Sequence, residues 1–233
     1  MSSSLIDGEG QPPDWKAPMA PPDSNMARAT FVSETLLPTR TGNFRVRAYR
    51  DPQDGSEPVA IILGDLEGAR DLAVRVHDEC FTSEVLGSLK CDCREQLEFA
   101  LETIKRRGKG AVIYLRQEGR GIGLANKIAA YALQEEGHDT VDANRALGLP
   151  DDQRRYDAAS TILEDLGVES IELLTNNPRK VDELRALGVH ITKRLSVLVP
   201  ANPHSADYLR AKAERMGHLL DPPPPPSIDA EAS

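Results

Sequence analysis

The chain has no run of about 18 apolar residues, so no segment of it reads as a membrane-spanning helix. Its first ten residues hold no basic stretch followed by an apolar one, and Asp7 and Glu9 come early. These features argue against a secretory signal and against an organelle transit peptide. Cysteine is scarce and odd in number, three among 233 residues. That argues against a disulfide framework and for a reducing compartment, the cytoplasm. Positive charge is also short: 28 Lys and Arg stand against 37 Asp and Glu, a net charge of -9. A general nucleic-acid binder needs a basic face for phosphates, so that class is set aside. Both ends are acidic, but so is the middle. An anionic ligand therefore has to be held by a local basic cluster.

What is present is a globular composition, 39% hydrophobic and 28% charged. Residues 1–28 read as a disordered leader, with Pro12, Pro13, Pro18, Pro21 and Pro22 among small polar residues. Residues 221–233 match it, carrying the run Pro222 to Pro226, which continues neither helix nor strand. The folded part is a single domain over 29–220.

Within that domain, strands are expected at Phe44–Tyr49, Val59–Leu63, Leu72–His77, Ala111–Leu115, Ile171–Leu174, Val189–Thr192 and Leu195–Val199. Helices are expected over 94–107, where Leu97, Ala100, Leu101 and Ile104 share one face, and over 123–136. Others are expected around Ala159 to Leu166, at 178–187 behind Pro178, and at 205–216. The early part is β-rich and the later part alternates β and α. The expectation is an α/β fold, a mixed sheet with helices on its faces.

All three cysteines fall within fourteen residues, as Cys80-x10-Cys91-x-Cys93. Three thiolates and a water would make a catalytic zinc site, and His77 as a fourth ligand would make a structural one. Buried, unliganded thiols are the third possibility. Spacing alone leaves the three open.

Leu115 to Leu124 joins a strand to a helix and carries Gly119, Gly121 and Gly123, whose N–H groups can approach an anion, with Arg116 and Arg120 beside them. It is neither a Walker loop nor a dinucleotide fingerprint, and a flexible connector explains it equally well. Thr175-Asn-Asn-Pro-Arg-Lys180 gathers a hydroxyl, two amides and two cations before a helix, and Asp152-Gln-Arg-Arg-Tyr156 does so with one acid and two arginines. Each also reads as an ordinary capping turn. His138 and His204 are assigned nothing. Taken together, the motifs suggest a Lewis-acid metal among cationic loops at strand ends, with a small phosphorylated ligand; Glu118 and Gln96 could read a base.

These motifs are also familiar as a set. His77-Asp-Glu-Cys80, Ser88-Leu-Lys-Cys-Asp-Cys93, Arg116 to Leu124, Asn126-Lys-Ile, Tyr131-Ala-Leu-Gln, Asp139-Thr-Val, Leu174 to Lys180 and Lys212 to Leu220 resemble the GTP cyclohydrolase II family over about 36–220. The resemblance implies a hydrolase that opens the imidazole ring of GTP, releasing formate and pyrophosphate. The product is a diamino-ribosylaminopyrimidinone phosphate, the first committed intermediate of riboflavin synthesis. It implies one zinc per chain on Cys80, Cys91 and Cys93 with water in the fourth place, and Mg2+ on the triphosphate. It places Tyr131 near C8 of the purine. Arg75, Val76, His77, Asp78, Glu79, Gln96, Glu118, Gly119, Arg120, Thr140, Thr175 and Lys180 become GTP contacts. Asp152 becomes a proton acceptor and Arg154 a nucleophile or a stabiliser of charge at the α-phosphate, since a guanidinium stays protonated. A homodimer is also implied. Many relatives are fused to a dihydroxybutanone-phosphate synthase, whereas about 35 residues precede the likeness here, which suggests a monofunctional chain. The alternatives are a paralogue that stops at the formamide, against which Tyr131 speaks, and a zinc-stapled nucleotide sensor without catalysis.

Overall fold

The computed structural model describes residues 28–135, 145–150, 152–197 and 199. The leader before Arg28, the tail 221–233, the helix expected at 205–216 and Thr140 lie outside the described residues.

Among the described residues the chain forms β1 (Thr30–Pro38), β2 (Asn43–Arg50), β3 (Val59–Leu63), β4 (Leu72–Asp78), β5 (Gly110–Leu115), β6 (Ile171–Leu174) and β7 (Ile191–Leu195). The helices are α1 (Phe81–Glu84), α2 (Cys93–Arg107), α3 (Leu124–Glu135), α4 (Asp157–Asp165) and α5 (Pro178–Ala186). The strands make one sheet in the order β1-β2-β3-β5-β4-β6-β7. Pairing is antiparallel from β1 to β3 and between β3 and β5. It is parallel across β5, β4, β6 and β7. This is the expected mixed α/β sheet.

Side chains alternate along each strand and so divide the core in two. Leu72, Val74 and Val76 of β4, with Ala111, Ile113 and Leu115 of β5, pack on Ala159, Ile162 and Leu163 of α4 and on Val181 and Leu184 of α5. Ala73 and Val112 face the other way, against Ala100 and Ile104 of α2. Leu97 and Leu101 complete that helix face as expected. The stop signals also work as read: Gly108 caps α2 in the left-handed region at φ 70°, and the Asn177 side chain accepts the Arg179 N–H at 3.0 Å to start α5.

Two elements depart from the sequence reading. β1 is not expected from its sequence, because every residue in it is exposed and a bulge between Phe31 and Ser33 resets its register, so no clean alternation appears. The two strands expected at 189–192 and 195–199 are one strand, Ile191–Leu195. β6 ends at Leu174, so among the described residues Ser196 and Val197 have no part of β6 to pair with. The Asn176 amide takes its place, donating to the Val197 carbonyl at 2.8 Å and accepting the Val197 N–H at 3.0 Å.

α2 lies close against β5 because Gly110 has no side chain. A Cβ there would sit 2.5 Å from Ile104 Cγ2 and 2.7 Å from the Ala73 carbonyl oxygen. Gly110→Ala should therefore destabilise the fold by about 1–3 kcal/mol through overpacking. The check is the urea midpoint; an unchanged midpoint would mean that α2 is not pressed on the sheet as described.

Candidate active site

β4, β5 and β6 are adjacent and parallel, so their carboxyl ends open on one side of the sheet, the usual place for ligands in α/β proteins. From these ends run the Cys80 loop, the glycine-rich loop and the Thr175 loop. One physical pattern organises the region: Asp78, the last residue of β4, sits between two cations. Lys180 Nζ donates to Asp78 Oδ2 at 2.9 Å and to the Val76 carbonyl at 2.8 Å. Arg154 Nη1 donates to the same carboxylate at 2.9 Å. Its Nε and Nη2 clasp Asp152 at 3.0 and 2.6 Å, and Arg179 reaches Asp152 at 3.0 Å. Burial would raise the Asp78 carboxyl, but the Lys180 and Arg154 charges outweigh it and hold Asp78 well below its ordinary range. Burial pulls Lys180 down to about 8 despite Asp78. Arg154 keeps its proton: burial opposes its charge, but Asp152 and Asp78 overcome that.

Deeper in β4, Arg75 is buried and donates to the Leu174 carbonyl at 2.9 Å and to Gln96 Oε1 at 2.5 Å, while its Nε finds no partner. Gln96 is held at its other end by Asp92 at 2.6 Å. Val76 is buried in the sheet. Glu79 pairs with Arg116 at 2.9 Å. The Thr175 hydroxyl is buried and accepts the Asn177 N–H at 3.1 Å.

The three thiols converge: the Sγ atoms of Cys80, Cys91 and Cys93 all lie within 4.8 Å of one another, with Cys80 and Cys91 3.6 Å apart. Tetrahedral thiolates on zinc bond at about 2.3 Å, which separates sulfurs by roughly 3.8 Å, so the set fits the ion. Hydrogen bonds from Cys91 and Cys93, helped by the Lys127 ammonium, hold Cys80 well below the usual thiol range. His77 does not join the cluster. It is buried, its Nε2 meets Glu84 Oε1 at 2.8 Å, and its ring stacks on Tyr114 at 5.6 Å. Burial lowers its pKa and keeps the ring neutral. Tyr131 on α3 stands beside the thiols, with Lys90 Nζ 4.8 Å from its ring centroid and Lys127 Nζ at 5.8 Å. Burial raises its pKa, so the phenol keeps its proton.

The glycine-rich loop bends through left-handed conformations at Gly119, Arg120, Gly121 and Gly123. Gly121 also packs closely, since a Cβ there would lie 3.1 Å from the Gln153 backbone. The Gln153 N–H donates to the Arg120 carbonyl at 2.9 Å, which docks this loop on the Asp152 turn. A cavity of about 520 Å³ opens alongside, lined by Arg116, Gln117, Glu118, Gly121, Gln153 and Arg155 among others.

Hydrogen bonds and ion pairs thus join Asp78, Asp152, Arg154 and Lys180 in one group, Arg75 with Gln96 in another, and Cys80 with Cys91 and Glu118, through Lys127, in a third, while Val76 lies in the larger core. Two residues that hold the region together have no role in the sequence reading. Glu84 accepts from the Cys80 N–H at 3.0 Å, the Tyr114 hydroxyl at 2.7 Å and His77. Its position four residues past Cys80, at the start of a helix, was the available signal. Lys127 stood in the quoted Asn126-Lys-Ile motif, one helical turn before Tyr131 and on its face. Glu118 is also more deeply engaged than a base reader: its carboxylate accepts the Phe81 N–H at 2.6 Å, the Gly119 N–H at 2.7 Å and Lys127 at 2.8 Å.

Fold and site define an α/β protein with a three-thiol metal-type centre beside a cationic cluster at parallel strand ends. The model of the family described as GTP cyclohydrolase II matches residues 30–196, and the chain belongs to that family. The match takes in β1 and begins ahead of the position expected from the motifs. The chain is 48% identical over 190 residues to a GTP cyclohydrolase-2 of Acinetobacter baylyi, covering 81% of this chain and 95% of that protein. It is 51% identical over 191 residues to the riboflavin biosynthesis protein RibBA of Salinispora tropica, covering 82% of this chain and 48% of that one. The RibBA of Synechocystis sp. is 49% identical over 186 residues, 79% of this chain and 34% of its own length. The chain spans half or less of the length of these RibBA relatives. Among the described residues no helix is long and apolar enough to cross a membrane.

The Asp78 carboxylate is worth testing directly. Asp78→Asn would leave Lys180 and Arg154 buried with one anion fewer, at a cost of about 3 kcal/mol. Because the folded pKa of Asp78 lies below its unfolded value, its contribution is full above about pH 4 and is lost as pH falls below that. Urea denaturation should accordingly show the wild-type advantage over Asp78→Asn at pH 7 and a smaller one at pH 3. An equal gap at both would refute this reading of the pair.

Proposed function

We propose that the chain is a zinc-dependent GTP cyclohydrolase II. It hydrolyses GTP to the diamino-ribosylaminopyrimidinone phosphate, releasing formate and pyrophosphate, as the first committed step of riboflavin synthesis in the cytoplasm. The observation that carries this is the convergence of three thiols, Tyr131 and the Asp78–Lys180–Arg154 cluster on one side of the sheet. Cys80, Cys91 and Cys93 would hold one zinc ion, which when bound supplies a Lewis acid that lowers the pKa of water near C8 of the purine. Tyr131, protonated and beside the thiols, can orient the attacking water and donate its proton to the nitrogen that leaves as the formamide is cleaved.

At the other end of the nucleotide, Lys180, Arg154 and Arg179 offer charge to phosphate, with Mg2+ carried on the triphosphate oxygens and waters. The retained proton on Arg154 supports charge stabilisation at the α-phosphate over attack on it. Asp152 and Asp78 fix the guanidinium plane and leave N–H groups on both terminal nitrogens for a phosphate. The reading also takes the working unit to be a homodimer.

The decisive test is incubation with GTP and Mg2+, with formate and pyrophosphate quantified from the same reaction. Wild type should release both, and Cys91→Ser should lose zinc and ring opening together. Tyr131→Phe should keep zinc while formate falls about a hundredfold or more relative to pyrophosphate, with the formamide accumulating. No formate from wild type would sink the proposal in favour of a nucleotide sensor. Equal loss of both products in Tyr131→Phe would remove the tyrosine from the second hydrolysis.

A pH profile tests the phosphate cluster. Lys180, held at about 8, is charged below that pH and neutral above it, so kcat/KM for GTP should fall above about pH 8. Lys180→Arg stays charged and should lose that fall, although its maximum is lower. A profile that falls at the same pH in both proteins would show that Lys180 is not the group titrating.

A further inference from the structure

Lys127 projects from α3 into the thiol cluster and is itself only 13% exposed at its side chain. An ammonium has three N–H donors. Three acceptors surround this one: Cys80 Sγ at 3.1 Å, Thr82 Oγ1 at 3.0 Å and Glu118 Oε1 at 2.8 Å. The donors are thus fully committed inside the protein. That separates Lys127 from the cations at the far end of the site, Arg154 and Arg179, which keep N–H groups for a ligand. It also differs from an ordinary surface ion pair, because one of its three partners is a sulfur of the metal-type cluster and that sulfur is buried.

We propose that Lys127 is a positioning residue of the metal centre: its ammonium polarises the Cys80 thiolate and, through Glu118, fixes that sulfur to the glycine-rich loop. The inference rests on the zinc reading above and extends it to a residue that touches only a ligand of the ion. Three thiolates around a divalent cation carry one negative charge in excess, and sulfur gives much of its electron density to the metal. That donation weakens the Lewis acid. A charge-assisted N–H···S bond draws density back from one sulfur, so the ion keeps more of its charge for water. The coupling to Glu118 adds geometry. The same carboxylate accepts the Phe81 N–H next to Cys80 and the Gly119 N–H, so the cysteine loop and the glycine-rich loop share one anchor.

A purely structural lysine would affect stability but leave the electronic state of the sulfurs alone, and cobalt(II) in place of zinc separates the two. Wild type loaded with cobalt should show intense thiolate-to-cobalt charge-transfer absorption, and absence of that band would defeat the metal reading itself. In K127M the band should move to longer wavelength, because the sulfur lone pairs lose the ammonium that stabilised them. K127R should hold it near the wild-type position. With zinc, kcat for K127M should fall about 10–100-fold while KM for GTP stays within about twofold, and K127R should recover most of the rate. If K127M does not fold, K127Q, a neutral donor of similar length, is read the same way. The proposal is overturned by a folded, cobalt-loaded neutral variant with an unshifted band, or by K127R shifting as far as K127M. A folded neutral variant that takes up no cobalt also overturns it, since the three sulfurs are then not sufficient to hold the ion.

Discussion

The buried carboxylate of Asp78 is the constraint on which the rest of the site depends. It stands where β4 runs out, and it fixes two cations from distant parts of the chain, Arg154 and Lys180, within 2.9 Å. Without it, burial would drive the proton off Lys180 and would leave Arg154 with Asp152 alone. With it, the turn before α4 and the first turn of α5 are both pulled to the carboxyl end of β4. The sheet supplies the rigidity. Val74 and Val76 anchor one face of β4 in the larger core, and Ala73 packs on α2, so the strand that carries Asp78 has little room to move.

A second level of organisation uses carboxylates as knots. Glu84 ties His77, Tyr114 and the Cys80 backbone, and Glu118 ties the Cys80 loop to the glycine-rich loop and Lys127. Each accepts three hydrogen bonds from the protein. Their effect is to convert two irregular loops into parts of one framework, so that the loop thiols Cys80 and Cys91 are held beside Cys93 at the start of α2 and Tyr131 on α3. The left-handed Arg120 fits the same logic. A non-glycine residue at φ 63° costs roughly 1–2 kcal/mol. The bond from the Gln153 N–H to the Arg120 carbonyl, and the close fit of Gly121 on Gln153, offset that cost by docking the loop on the Asp152 turn.

Much of this was legible in the sequence. Apolar runs bounded by Gly or Pro located β3, β5 and β6, and the 3.6-residue spacing located the buried face of α2. The cysteine spacing marked a cluster before any geometry was known. What the sequence hid has physical causes. β1 buries nothing, so alternation had no core to report, and a bulge broke what pattern there was. The strand after His190 stops early because its neighbour β6 is only four residues long, a fact about pairing that no single segment contains. Asp78 and Glu79 read only as members of a motif; that one holds two buried cations and the other meets Arg116 follows from the ends of three strands meeting. Glu118 reads from the sequence as a ligand contact in a glycine-rich loop; that its carboxylate also accepts from Phe81, Gly119 and Lys127 depends on the packing of three segments and is not visible in any one of them.

The same accounting bears on how the two halves of the site divide their work. Cations at the Asp78 end keep N–H groups to spare and are held by carboxylates that a phosphate can outbid in charge, so that end suits an anion that arrives and leaves. At the thiol end Lys127, which touches the Cys80 sulfur, has every donor engaged, and the tyrosine beside it keeps its proton because burial opposes the phenolate. On the proposed reading, one end serves exchange and the other a fixed electrostatic field. In the proposed reaction the phosphates enter and pyrophosphate departs at the first, while bonds to carbon are attacked at the second. A substrate spanning both, on that reading, carries its anionic groups at one end and its reactive ring at the other.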